Sequence, residues 1–205
     1  MERFLITQSL LGSWLYTFDC AEGQEENARA EFLSVLNRVP KEATQEMQNG
    51  LNFERECYRA AAGLCRTRHI QWEPGIRAVA DIIRGAPVQV KARRNLEVCG
   101  MTFLVYGILD ALKAGTIYDV KFLNKSMKDV ELAGKYLNSP QHPTYFYLIP
   151  EAREFKYLVS DGVDLYIETY TRGDTPPIED IIEMFIGSLR AMELLDLYKE
   201  KWAAL

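Results

Sequence analysis

Two residues, Ala114 and Gly115, constrain the fold of this chain more than any others. They separate two runs, 97–112 and 116–123, that are rich in β-branched and aromatic residues. A two-residue break between such runs predicts a tight hairpin. With these two residues as the loop, Lys113 pairs with Thr116, and counting back sets Asp110 opposite Asp119. Facing residues of an antiparallel pair have Cβ atoms about 4.5–5.5 Å apart, where like charges repel. Such a pair persists where something offsets the repulsion, and a bound divalent cation does so, because hard metals take carboxylate oxygens. Lys121, two residues beyond Asp119, points to the same face. Val105, Tyr106, Ile108, Leu109, Ile117, Tyr118, Val120 and Phe122 supply apolar side chains on both faces, the pattern of a central strand pair with charges at its end.

Around this hairpin the pattern predicts helices over 5–18 and 24–38, the second ended by Pro40, then a longer helix over 43–64. A short helix follows over 75–84, closed by Gly85, and a strand over 88–92. Ser139 reads as the cap of a later helix with Pro140 at its first position and Pro150 as its stop. Strands over 155–159 and 163–170 flank the turn Ser160-Asp161-Gly162, and an amphipathic helix runs over 177–198. The 205 residues read as one domain with a core over 45–170, a helical N-terminal extension over 1–40 and the C-terminal helix. The expected class is α/β (α+β), a central mixed β-sheet flanked by helices.

A formal net charge of −5 argues against a surface coated in basic residues, so a nucleic-acid partner needs local clusters of Lys and Arg. Arg55, Arg59, Arg66, Arg68, Lys91, Arg93, Arg94, Lys125 and Lys128 are the candidates. Cys20, Cys57, Cys65 and Cys99 are widely spaced without a CxxC pair and read as reduced, buried thiols. Trp14, Trp72 and Trp202 read as packing residues. No run approaches the ~18 apolar residues of a membrane span, and the first residues lack a signal peptide's pattern. A cytoplasmic protein is expected.

Glu54 falls on the helical row Met47, Leu51, Glu54, Tyr58, Ala61, which reads as core-facing, with Arg55 and Arg59 outside and Glu56 nearer the outside. A carboxylate on such a stripe needs a partner. A metal and an arginine salt bridge serve equally well. Gln141 and Tyr145 lie four apart near a helix start, whose free N–H groups favour anions such as phosphate. Taken alone they read more simply as a first-turn surface residue and a core tyrosine. Glu154-Phe-Lys156 repeats the acidic-x-Lys pattern without supporting residues and reads as a solvated strand face. His69 and His142 are the only histidines, far apart, and His142 reads as a surface residue. Histidine-based catalysis or zinc chemistry is therefore weakly supported.

Four motifs stand in order: Gly50-Leu-Asn-Phe-Glu54, Gly107-Ile-Leu-Asp110, Asp119-Val-Lys121 and Gln141-His-Pro-Thr-Tyr145. Together they resemble the PD-(D/E)XK nuclease superfamily, in its RecB-like and lambda-exonuclease-like branch, over about residues 45–170. The resemblance implies a restriction-endonuclease-like core and a DNA nuclease, exonuclease rather than endonuclease, that uses Mg2+ or Mn2+ in recombination, repair or phage DNA processing. It implies Glu54, Asp110, Asp119 and the Val120 carbonyl as metal ligands. It further implies Lys121 as the group that orients the attacking water, with Gln141 and Tyr145 positioning water or phosphate. DNA is the implied partner, beside a recombination protein and a second copy of the chain. Some members carry an iron–sulfur cluster on C-terminal cysteines; no cysteine follows Cys99, so none is expected. The competing readings are an inactive nuclease-fold scaffold that binds DNA or protein, and a plain structural α/β domain.

Overall fold

The computed structural model describes residues 2–64, 67 and 69–204. Its order is β1 (Arg3–Thr7), α1 (Gln8–Asp19), α2 (Glu25–Leu36), α3 (Gln45–Ala61), α4 (Glu73–Ile83), β2 (Val88–Val98), β3 (Met101–Lys113) and β4 (Thr116–Phe122). It continues with α5 (Gln141–Leu148), β5 (Glu154–Ser160), β6 (Leu165–Thr171), α6 (Ile178–Ala191), α7 (Leu195–Lys201) and β7 (Ala203–Ala204). The strands form one mixed sheet in the order β6-β5-β4-β3-β1-β7, with β2 paired to β3. Helices cover it, as the sequence reading expects.

Both β2–β3 and β3–β4 are two-residue hairpins whose central residues take left-handed backbones: Cys99 (φ 54°) with Gly100 (φ 71°), and Ala114 (φ 52°) with Gly115 (φ 80°). This conformation matches strand twist in tight hairpins. The first hairpin divides what the sequence suggests is one strand over 97–112 and extends the strand beginning at Val88 as far as Val98. It also leaves Cys99 exposed in the turn, against the expectation of buried thiols; Cys57 is buried, Cys20 half-buried, and Cys65 lies outside the described residues.

Two further expectations are corrected. Arg3–Thr7 is a strand rather than the first turns of a helix, because Phe4 and Ile6 alternate into the core while the segment pairs in parallel with β3 from Thr102 to Tyr106. Thr7 then caps α1 by accepting the Leu10 N–H at 3.3 Å. The C-terminal helix is two, because Glu193 takes φ 58° and ends α6.

β3 organises the sheet. Along one edge β2 pairs from Val88–Ala111 to Val98–Met101. Along the other edge β1 takes Thr102–Tyr106 and β4 takes Ala111–Lys113. Residues 107–110 have no strand partner on that second edge, so the sheet forks there. One core packs Phe103, Val105, Leu109, Ile117, Phe155 and Tyr157 against α1, α5 and α6. A second packs Ala111, Val120 and Leu158 against Phe53 and Cys57 of α3 and Ile76, Val79 and Ile83 of α4.

Candidate carboxylate–lysine site at the sheet fork

The fork leaves backbone groups that need partners. The Ile108 carbonyl accepts the Tyr145 hydroxyl at 2.8 Å, and the Val120 N–H donates to Asp110 Oδ2 at 2.7 Å. The expected pairing of Lys113 with Thr116 is present, but the ladder stops at Ala111–Tyr118. Asp110 therefore does not face Asp119 across a regular ladder; its carboxylate turns to the β4 backbone where the strands part. Gly107 is required by the same junction: a Cβ there would stand 2.3 Å from Tyr145 Cε1. Gly50, by contrast, meets nothing within 4 Å, so the first motif's glycine has no steric reason here.

Asp119 and Lys121 share a face of β4, and Lys121 Nζ lies 2.8 Å from Asp119 Oδ2. Gln141 donates from Nε2 to Asp119 Oδ1. Gln141 is buried rather than a surface residue; the Ser139 hydroxyl accepts its N–H at 3.3 Å, and Pro140 precedes the helix by one position. Tyr145 packs on Gly107 and bonds Ile108, so its visible work is to seat α5 in the fork. Burial lowers the Lys121 pKa, but Asp119 and then Asp110 outweigh it and the net shift is upward, keeping the ammonium charged. Burial and the Asp119 and Glu54 carboxylates raise Asp110 well above the usual carboxylate range, against the Val120 N–H. Burial also raises Glu54, opposed by the Tyr58 hydroxyl.

The α3 face differs from its sequence reading. Met47 and Leu51 are 46% and 55% exposed, whereas Phe53, Glu56 and Cys57 face the core, Glu56 at 4% exposure. The inward stripe is shifted, because Phe53 packs on Phe122 and Trp72 with ring centroids 4.8 and 6.2 Å away. Glu54 lies beside that stripe, half-buried. Its Oε1 accepts Tyr58 Oη at 2.6 Å and Gln89 Nε2 at 2.9 Å. Gln89 carries no sequence signal; only its backbone conformation marks it. Glu154, the second acidic-x-Lys match, pairs with Lys156 at 3.1 Å, away from these carboxylates.

His142 is also corrected: it is fully buried, stacked on Tyr170 at 4.3 Å, with Nδ1 3.1 Å from Tyr157 Oη. Burial lowers its pKa to about 4. Trp14 and Trp202 are buried, as expected for packing residues. Of the candidate DNA contacts, Arg55, Arg59, Lys91, Arg93, Arg94, Lys125 and Lys128 are exposed, while Arg66 and Arg68 lie outside the described residues. Lys125 and Lys128 line a cavity of about 470 Å³ with Asn49, Asn124 and Phe122, at the end of β4. Arg94 sits 4.9 Å over the Tyr147 ring.

Among the described residues no group of three or more His, Cys, Asp and Glu side chains stands ready to hold a metal ion. The donor chemistry nevertheless fits a hard divalent cation: the carboxylates of Asp110, Asp119 and Glu54 influence one another electrostatically, and the buried Asp119 Oδ2 accepts no well-formed hydrogen bond beside its contact with Lys121. Mg2+ in particular keeps several waters and takes one or two carboxylates rather than a full protein cage.

No described helix is long and apolar enough to cross a membrane. No family model matches the chain, and no curated protein matches it. Among solved structures it is similar to the crystal structure of SSO0001, with a TM-score of 0.52, 13% identity, and coverage of 94% of this chain and 78% of that one. At this identity the likeness concerns the fold, an α/β arrangement with a mixed sheet flanked by helices.

Proposed function

We propose that this chain is a Mg2+- or Mn2+-dependent DNA nuclease of the PD-(D/E)XK type, hydrolysing phosphodiester bonds, with exonuclease favoured over endonuclease. The observation that supports the reading is the Asp119–Lys121 pair at the sheet fork, with Asp110 bound to the neighbouring Val120 N–H and with burial and mutual repulsion raising Asp110 and Glu54. Carboxylates that repel one another in a protein interior are relieved by a proton or by a bound cation, and such groups gather at functional sites. Asp110, Asp119 and the Val120 carbonyl would hold it, with Glu54 bound directly or through water. The ion supplies a water of lowered pKa and neutralises charge on the phosphate.

The chain's own groups do the rest. Lys121 remains an ammonium because Asp119 and Asp110 hold its proton, so it acts as a fixed cation toward water and the developing phosphorane charge and not as a base. Gln141 holds Asp119 from Oδ1, and Tyr145 seats that helix through Ile108. The exposed Lys125 and Lys128, beside the end of β4, and Lys91 and Arg93 on β2 are the phosphate contacts in this reading. The recombination, repair or phage setting, a recombination partner protein and a homo-oligomer follow from the resemblance alone; a cytoplasmic location is part of the reading on the sequence pattern.

The test is degradation of linear, nicked and closed circular DNA, with Mg2+ and with chelator. An exonuclease degrades the linear substrate in Mg2+ and spares the closed circle. Absence of metal-dependent cleavage on all three ends the reading. An inactive scaffold is the second reading, favoured by Asp119 being already engaged by Lys121 and Gln141; it predicts binding without cleavage.

A further inference from the structure

Among the described residues five non-glycine residues hold left-handed backbones: Arg38, Gln89, Cys99, Ala114 and Glu193. Arg38 and Glu193 follow helices, and Cys99 and Ala114 sit in hairpin turns, where this conformation is at home. Gln89 alone lies inside a strand, with φ 54°. The β2–β3 ladder pairs Val88 with Ala111 and Val90 with Leu109 but leaves Gln89 and Asp110 unpaired between them. A glutamine has no preference for this region, so the surroundings hold it there, and such outliers gather at functional sites.

Two consequences are visible. Residues two apart on a regular strand share a face, yet Leu109 packs in the larger core and Ala111 in the smaller. The alternation of β3 slips at Asp110, opposite Gln89, and the slip gives Asp110 the phase that reaches the Val120 N–H. Secondly, Gln89 Nε2 donates to Glu54 Oε1 at 2.9 Å and to Tyr58 Oη at 3.1 Å, while Tyr58 donates to the same Glu54 oxygen at 2.6 Å. Both donors meet on Oε1, and no hydrogen bond among the described residues engages Oε2.

We infer that Gln89 is a positioning residue of the carboxylate site: its left-handed backbone sets the phase of Asp110, and its amide fixes Glu54 with one oxygen left for a cation. The inference rests on the nuclease reading and adds to it a residue outside the four motifs. A hydrogen bond that orients a ligating carboxylate sharpens metal affinity even when its donor never touches the metal.

The experiment titrates Mn2+ alone, without DNA, by calorimetry into wild type, Gln89→Gly and Gln89→Met, and records metal-free melting curves of the three. Both variants should bind Mn2+ about 10–100-fold more weakly, the span usual for outer partners of metal ligands. The glycine variant should melt above the methionine variant, because only glycine takes positive φ at no steric cost. A merely structural residue would move melting without moving affinity. Wild-type Mn2+ affinity in Gln89→Met removes the amide from the site, and a methionine variant melting at or above the glycine variant removes the backbone argument. Wild-type protein that binds Mn2+ and cleaves DNA, with unaltered variants, overturns this inference alone. Wild-type protein that neither binds nor cleaves overturns the nuclease reading with it.

Discussion

Gly107→Ala tests the fork without reference to function. The added Cβ would stand 2.3 Å from Tyr145 Cε1 and 3.1 Å from both Tyr145 Cδ1 and Leu148 Cδ1. The nearest contact is more than about 1 Å inside the ~3.5–4.0 Å at which carbon atoms rest. Tyr145 cannot swing aside freely: it is buried, stacked 5.9 Å from Phe155, and tied to the Ile108 carbonyl at 2.8 Å. Overpacking costs about 1–3 kcal/mol, and loss of the hydroxyl bond adds about 1 kcal/mol. The expected penalty is about 2–4 kcal/mol, or a Tm lowered by about 5–15 °C in a domain of this size. Urea and thermal melts of wild type, Gly107→Ala, Tyr145→Ala and the double variant complete a cycle. In the Tyr145→Ala background the methyl should cost under about 1 kcal/mol, a coupling within the range seen for touching residues. Additive costs, or a Gly107→Ala penalty within about 0.5 kcal/mol, would refute the packing argument.

Lys121→Ala should abolish cleavage of linear DNA while Mn2+ still raises Tm, whereas Glu154→Ala, whose partner is Lys156, should cleave at the wild-type rate; undiminished cleavage by Lys121→Ala removes Lys121 from the mechanism. Glu54→Gln should impair cleavage strongly, while Glu56→Gln, facing a cleft lined by Ala60, Ile76 and Ala80, should leave it nearly intact; the reverse order would refute the placement of α3. Asp110 has a folded pKa raised above its unfolded value, so metal-free stability should fall as pH rises from about 4 through that raised pKa. Asp110→Asn, which keeps an acceptor for the Val120 N–H, should flatten that slope; an unchanged slope sinks the assignment. His142 acts in the opposite sense: its folded pKa, depressed from 6.5 to about 4, gives stability present above 6.5 and lost as pH falls toward 4, about 3 kcal/mol. Denaturant melts of His142→Phe between these pH values should lack that loss.

What the sequence made legible follows from where its signals are local. The Ala114–Gly115 hairpin and the pairing of Lys113 with Thr116 depend on two turn residues and nothing distant, and they are present. The α3 stripe failed because its buried face carries Glu56 while its exposed face carries Met47 and Leu51, so hydrophobicity points to the wrong side. α5 offers no stripe at all: every residue from Gln141 to Leu148 except Tyr147 is buried, which hid His142. β1 reads as part of a helix because five residues are too few for alternation to outweigh the helical run behind them. Gln89 carries no such signal, since a glutamine inside a strand pattern says nothing of its φ.

The fork also changes what the motifs argue. Asp110 satisfies the Val120 N–H, Tyr145 satisfies the Ile108 carbonyl, and Gly107 makes room for Tyr145. A protein that had lost all chemistry would still need these three to close the split in its sheet, because buried backbone groups without partners are costly. Their presence therefore separates a nuclease from an inactive scaffold poorly. Lys121 and Glu54 separate them better. Lys121 is 35% exposed in its side chain and bonds no backbone at the fork, and Glu54 is a carboxylate raised by burial and held by a residue of unfavourable φ. A scaffold gains from Lys121 only the neutralisation of the buried Asp119 and gains little from Glu54, so the fate of cleavage in Lys121→Ala and of Mn2+ affinity in Glu54→Gln decides between the two readings more sharply than any substitution at Asp110 or Tyr145.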